Sequence, residues 1–300
     1  PGFLGHHRLS EPPDNYDRYS GNDYAPDLML AEALGFIQEN KDAPFFLWYT
    51  SPIPHVSLQV PDVWTERYAD LGWDEAPYLG GRGYLPHPTP RAAYAAMITH
   101  LDAEVGRIVA LVESLGLTDN TLIVFSSDNG ASFNGGCDRV FFESNAPLRG
   151  MKTQLWEGGI RVPMIATWPG QIAAGSESSV PSYFTDVLPT CVELAGGETP
   201  DGLDGISLVP TLLGEGEQPQ HDYMYWENGH SQAIRVGDWK AVRMNLRRDP
   251  DAPLQLYNLA DDIAEANDLA EDEPEVAARL RQMLIDARTP SAIFKHPTDP

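Results

Sequence analysis

Two apolar runs on either side of a long amphipathic segment constrain this chain most. Pro44-Phe-Phe-Leu-Trp-Tyr-Thr50 is an almost unbroken apolar and aromatic run, and Leu122-Ile-Val-Phe125 is a second. Runs without polar alternation suit strands covered on both faces, as in a parallel sheet. Between them, Arg91 to Leu115 sets Ala92, Ala96, Ile98, Leu101, Val105, Ile108 and Leu111 along a helical face, and Gly116 stops it. Strand, helix and strand make a βαβ unit, so the expected body is α/β, a mostly parallel sheet flanked by helices. Val162-Pro-Met-Ile-Ala-Thr-Trp168 is a third strand candidate, and residues 25–40 and 183–195 supply further helices.

The pattern changes after about residue 215. Gln232-Ala-Ile-Arg-Val236, a Gly237-Asp238 turn and Trp239-Lys-Ala-Val-Arg243 spell a β-hairpin. Leu254-Gln-Leu-Tyr257 adds a strand, and Glu273 to Ala287 an amphipathic helix with Pro274 in its first turn. The expected division is 1–215 for the α/β body and 216–300 for a small α+β subdomain with an antiparallel sheet.

The formal net charge of −24 excludes nucleic-acid binding through the overall field. It would also repel a polyanionic substrate unless the site itself is positive. The two cysteines, Cys137 and Cys191, read as free thiols rather than a disulfide framework. No apolar run approaches the roughly 20 residues of a membrane span.

Four segments carry candidate chemistry. Asp128 and Asn129 follow the Leu122–Phe125 run directly and offer hard oxygen donors suited to Ca²⁺ or Mg²⁺. Asp-Asn-Gly is equally good turn chemistry, and on these three residues alone an Asx turn accounts for them. Lys152, in Arg149-Gly-Met-Lys, sits among glycines where backbone amides and an ammonium can face an anion together. Arg149 and Arg161 could also meet anions, although Arg161, beside a strand candidate, is better read as pairing with a carboxylate such as Glu157. His55 ends Tyr49-Thr-Ser-Pro-Ile-Pro-His55, where two prolines stiffen the loop after an apolar run. That suits proton transfer, but taken singly an ordinary turn histidine is the better account. No nucleophile stands out: Cys137 adjoins Asp138, Cys191 lies mid-helix, and no Gly-x-Ser-x-Gly elbow occurs.

Taken together, Tyr49–His55, Ser127-Asp-Asn-Gly130, Leu148-Arg-Gly-Met-Lys152 and Glu157-Gly-Gly-Ile-Arg-Val-Pro163 resemble the formylglycine-dependent sulfatases of the alkaline phosphatase superfamily. Ala103-Glu-Val-Gly106, Asp186-Val-Leu-Pro-Thr190, Asp204-Gly-Ile-Ser207 and Gly237-Asp-Trp-Lys240 agree with that family too. The resemblance implies an alkaline-phosphatase-like fold and Asp128 and Asn129 as ligands of Ca²⁺, with Mg²⁺ as the other candidate. It also implies Lys152 on the sulfate and bridging oxygen, and His55 as general acid. The family's nucleophile is a formylglycine made from the first residue of Cys/Ser-x-Pro-Ser-Arg, and no Pro-Ser-Arg occurs in this chain. Nor do the family's amino-terminal Asp-Asp pair and its lysine and histidine after that motif have counterparts. The chain also starts at Pro1 without an initiator methionine. The expectation is therefore the carboxyl-terminal part of a longer sulfatase, inactive alone, from a periplasmic or secreted protein. The alternatives are a phosphatase or phosphonate hydrolase of the same superfamily, or a non-catalytic binder of sulfated glycans. The expected substrate is a sulfated small molecule or, by preference, a carbohydrate. Arg139 and His230 are candidate substrate contacts, with Trp64, Trp73, Phe142, Glu227 and Asn228 as candidate pocket walls. The aromatics are equally well explained as loop packing.

Overall fold

The computed structural model describes residues 8–299. They divide into two compact units, one running to Thr121 with Ser132–Ser144 added, the other made of Leu122–Ala131 and the chain from Asn145 onward.

The first unit is helical. Helix α1 (Ala25–Asn40) starts with Pro26 in its first turn, where the missing N–H costs nothing, and buries Leu30, Ala33 and Ile37. A short helix, α2 (Asp62–Thr65), precedes α3 (Pro90–Ser114). Ala92, Ala93, Ala96 and Met97 form the buried stripe of α3, and Ile53, Val56 and Leu58 pack onto Ala93 and Met97. The expected helix is present, but its covered face is not purely apolar: His100 and Glu104 are buried while Ile98 is exposed.

The expected parallel sheet is not formed among the described residues. Pro44–Thr50 belongs to no strand, with Phe46 61% and Trp48 57% exposed. In the second unit, β1 (Ile123–Ser126) pairs antiparallel with β2 (Met164–Thr167), Ile123 opposite Thr167 and Ser126 opposite Met164. Apolar continuity tells that a segment suits cover on both faces; it does not carry the direction of its neighbour. Val124, Met164 and Ile165 remain exposed on this pair.

Between β1 and β2 lies the one-turn helix α4 (Glu157–Ile160), and beyond them come α5 (Val187–Leu194) and α6 (Val209–Leu213). The expected hairpin across Gly237-Asp238 and the strand after it form, and a further strand not read from the sequence precedes them. Strands β3 (Met224–Asn228), β4 (Ser231–Val236), β5 (Trp239–Arg243) and β6 (Gln255–Asn258) make a four-stranded antiparallel sheet in that order. Gly237 takes φ +57° in the two-residue turn between β4 and β5, a conformation a side chain would strain. Period-two alternation sends Ile234, Ala241 and Leu256 to one face, where Leu280 and Leu284 of α7 (Pro274–Asp286) cover them. Ala233, Val242 and Tyr257 point the other way, onto Leu155 with Trp156 and Ile160 beside it. The segment around the glycine-rich loop is thus seated on one face of this sheet.

Candidate active site

Strand β1 runs straight into Ser127-Asp128-Asn129-Gly130. The Ser127 hydroxyl donates to the Asn129 carbonyl at 2.9 Å, and Asn129 Nδ2 donates to the Gly130 carbonyl at 3.1 Å. The turn chemistry is therefore real, and it leaves the Asp128 carboxylate exposed, with no hydrogen bond or ion pair among the described residues. Gly130 donates its N–H to the Gly159 carbonyl at 3.0 Å. A Cβ there would strike the Gly158 carbonyl oxygen and lie 2.8 Å from its carbon, so only glycine permits this approach. Gly158 and Gly159 are hemmed in the same way, by the carbonyl oxygens of Arg149 and Gly150 and by those of Met151 and Gln154.

The lysine loop meets the same strand end. Lys152 donates its amide to the Ala131 carbonyl at 2.9 Å, and Asn145 Nδ2 holds the loop through the Gly150 carbonyl at 2.6 Å. The half-buried Lys152 ammonium makes no ion pair among the described residues. The next residue, Thr153, has φ +75°, and its carbonyl accepts a 2.7 Å hydrogen bond from Asn228 Nδ2 at the end of β3. That bond brings the β3–β4 turn to the lysine loop. His230 sits exposed in the turn and is held through its carbonyl by the Leu246 amide at 2.8 Å.

Arg161 pairs with Glu157 at 2.6 Å, as expected. Glu157 is buried, and burial alone would raise its carboxyl. Lys240 and Arg161 outweigh that and hold it below the ordinary carboxylate range. Arg149 is turned inward, its guanidinium 4.2 Å from the Trp156 ring centre and 2.8 Å from the Tyr257 hydroxyl, which leaves it a structural residue.

His55 lies in the first unit, exposed on its loop, its amide bonded to the Pro52 carbonyl at 2.8 Å. Its Nδ1 is 2.6 Å from the Val56 carbonyl. A carbonyl only accepts, so Nδ1 carries the proton and Nε2 is the free edge of the ring. The loop is anchored by Glu104 of α3, whose Oε2 accepts from Ser51 Oγ at 3.0 Å and Tyr49 OH at 3.2 Å. Burial raises the Glu104 carboxyl, and the two hydroxyls only partly offset it. His100 bridges Glu104 and Asp27, with Nε2 3.0 Å from the latter.

The aromatic candidates pack against neighbouring rings. Trp64 stands 4.9 Å from His100, and Trp73 lies 5.2 and 5.6 Å from Phe141 and Phe142. Arg139, half-buried in the same loop, accepts the Ser144 amide through its carbonyl at 3.1 Å. The structure therefore joins Asp128, Asn129, Lys152 and the His230 turn within the second unit, while His55 and Arg139 have separate local settings in the first. Sequence reasoning missed Glu104, Glu265 and Lys240. Glu104 and Lys240 lie inside quoted motifs, but nothing in their spacing marks them as buried.

The donor chemistry at Asp128 and Asn129, an unpartnered carboxylate beside an amide, fits a hard cation. Among the described residues no three or more His, Cys, Asp or Glu side chains gather into a group that could hold a metal ion. No helix among the described residues is long and apolar enough to cross a membrane.

The strand end with its hard oxygen donors thus lies beside a lysine in a glycine-rich loop. Comparison with known families supplies the class. The Sulfatase family matches residues 1–197, and the family described as N-sulphoglucosamine sulphohydrolase, C-terminal, matches residues 151–289. The chain belongs to the sulfatase family. It is 30% identical to steryl-sulfatase of Rattus norvegicus over 298 residues, covering 87% of this chain and 47% of that protein. It is 32% identical to N-acetylgalactosamine-6-sulfatase of Mus musculus over 234 residues, covering 75% of this chain and 39% of that protein. The crystal structure of Ps i-CgsB in complex with k-i-k-neocarrahexaose superposes with a TM-score of 0.72 at 29% identity, covering 93% of this chain and 57% of that one. The chain thus spans about half the length of the relatives it matches.

Proposed function

We propose that this chain is the carboxyl-terminal part of a sulfuric ester hydrolase acting on a sulfated carbohydrate. In this reading Asp128 and Asn129 hold Ca²⁺, or Mg²⁺, together with ligands from outside these residues. Lys152 binds the sulfate and its bridging oxygen, and His55 gives the leaving alcohol its proton. The observation that carries the reading is the hydrogen bond from the Lys152 amide to the Ala131 carbonyl. It fixes a loop with an unpaired ammonium against a strand end with an unpaired carboxylate.

Cleaving the S–O bond leaves negative charge on the bridging oxygen, so a cation and a proton donor there lower the barrier. The Val56 carbonyl fixes the His55 ring through Nδ1 and leaves the Nε2 edge for a proton transfer. A bound divalent cation supplies charge neutralisation for the nonbridging oxygens. The nucleophile is assigned to a formylglycine from a Cys/Ser-x-Pro-Ser-Arg motif, which this chain lacks. Support for a carbohydrate substrate comes from the relatives whose names or ligands are sugars. His230, on the turn tied to the lysine loop, and Arg139 are the proposed substrate contacts.

The test is turnover of sulfate esters by the 300-residue chain and by a longer protein that supplies the motif. The chain alone should be inactive. The longer protein should be active and lose about 10²–10⁴-fold on His55→Ala. Lys152-dependent turnover by the chain alone would overturn the partial-enzyme reading, and a longer protein indifferent to Lys152→Ala would overturn the site.

A further inference from the structure

We infer that Lys240, on the carboxyl-terminal sheet, is a positioning residue for the strand-end site; the inference rests on the reading of that site given above. Lys240 is fully buried, which is costly for an ammonium unless it is paired. Its Nζ lies 2.7 Å from Glu157 Oε1 and 2.9 Å from Glu265 Oε1. The second oxygen of Glu157 takes Arg161 at 2.6 Å, and the second oxygen of Glu265 accepts the Glu157 amide at 2.6 Å. Glu265 itself sits at φ +51°, and its carbonyl accepts Arg149 Nη1–H at 2.9 Å. One ammonium therefore fixes both the side chain of Glu157 and the carboxylate that caps its amide.

Glu157 immediately precedes the two glycines on which the site rests. Gly158 donates to the Arg149 carbonyl at 2.6 Å, three residues before Lys152, and the Gly159 carbonyl receives Gly130, one residue after Asn129. From Lys240 the route to both arms runs through the Glu157 carboxylate, to the lysine loop by the Gly158 amide and to the strand end by the Gly159 carbonyl. A buried ion pair is poor evidence for added stability but an effective means of specifying one arrangement. Without its ammonium, two buried carboxylates would face each other. They would have to separate or take up a proton, and either outcome releases Glu157 from its seat.

The test is amide hydrogen exchange on the 300-residue chain, read at single-residue or short-peptide resolution, for wild type, Lys240→Met and Glu265→Gln. Glu265→Gln keeps a side-chain acceptor for the Glu157 amide and removes one charge contact, so it reads the same lock if Lys240→Met fails to fold. Exchange at Gly130, Lys152 and Gly158 should accelerate by about tenfold or more, while β4 and α7 keep their protection. Unchanged exchange in these loops would overturn the proposal. So would uniform loss across both hairpins and α7 in both variants, because the lock would then serve stability alone. The readout needs no turnover, so its result stands apart from whether the site hydrolyses sulfate.

Discussion

Gly130→Ala tests the convergence of the strand end and the glycine loop with one methyl group. The added Cβ would strike the Gly158 carbonyl oxygen and sit 2.8 Å from the Gly158 carbon and 3.0 Å from the Gly159 Cα. These are backbone atoms, and carbon–carbon contact is comfortable only near 3.5–4.0 Å. The loop must retreat, which breaks the 3.0 Å hydrogen bond from Gly130 to Gly159. Overpacking costs about 1–3 kcal/mol and the lost hydrogen bond about 1, so the expected loss is about 2–4 kcal/mol. Gly106 lies inside α3 with nothing within 4 Å of a new Cβ, so Gly106→Ala should stabilise by about 0.5–1 kcal/mol through helix propensity alone. Urea unfolding followed separately for each unit by hydrogen exchange measures both. A Gly130→Ala protein within about 0.5 kcal/mol of wild type would show that the two loops do not meet there.

Asp128→Ala and Lys152→Ala should each change stability by no more than about 0.5 kcal/mol, because neither side chain has a partner among the described residues; thermal unfolding checks this. Ile37→Ala in the α1 stripe should cost about 2–5 kcal/mol. Glu157 and Glu104 should contribute to the pH dependence of stability in opposite senses. The lowered Glu157 adds stability above its unfolded pKa of about 4.3 that is lost as pH falls through its folded value. The raised Glu104 adds stability below that pKa that is lost as pH rises through its folded value, so Glu104→Gln should flatten the first unit's profile by hydrogen exchange.

What could be read in the sequence was what local chemistry decides. The Gly237-Asp238 turn fixed a hairpin register, and the stop at Gly116 and the prolines at helix starts fixed α1, α3 and α7 to within a few residues. Strand partnership was not readable, because Phe46 and Val124 advertise a need for cover without naming what provides it. The convergence of the Asp128-Asn129 and Lys152 loops was legible through motifs whose glycines are required by close backbone approach. Glu104, Glu265 and Lys240 were not, because a charged residue in a strand or helix is ordinarily solvated, and its burial depends on a counter-charge distant in sequence. Glu157 and Lys240 lie 83 residues apart, and Ser51 and Glu104 53 apart.

The same arrangement recurs in both units. In each, a candidate catalytic side chain makes no side-chain hydrogen bond or ion pair among the described residues while buried polar groups hold the backbone of its loop. Glu104 takes the hydroxyls of Tyr49 and Ser51, and His55 follows four residues later with its Nε2 edge free. Lys240 and Glu265 fix Glu157, and the glycines after it steady the loops of Asp128 and Lys152. A reacting group paired to its neighbours would have to break that pair before meeting substrate. Restraining the loop through buried groups avoids that loss and keeps the geometry within the small tolerance chemistry requires. Substitutions at Glu104 or Lys240 should therefore disturb the site through its backbone while every candidate catalytic side chain remains in the sequence.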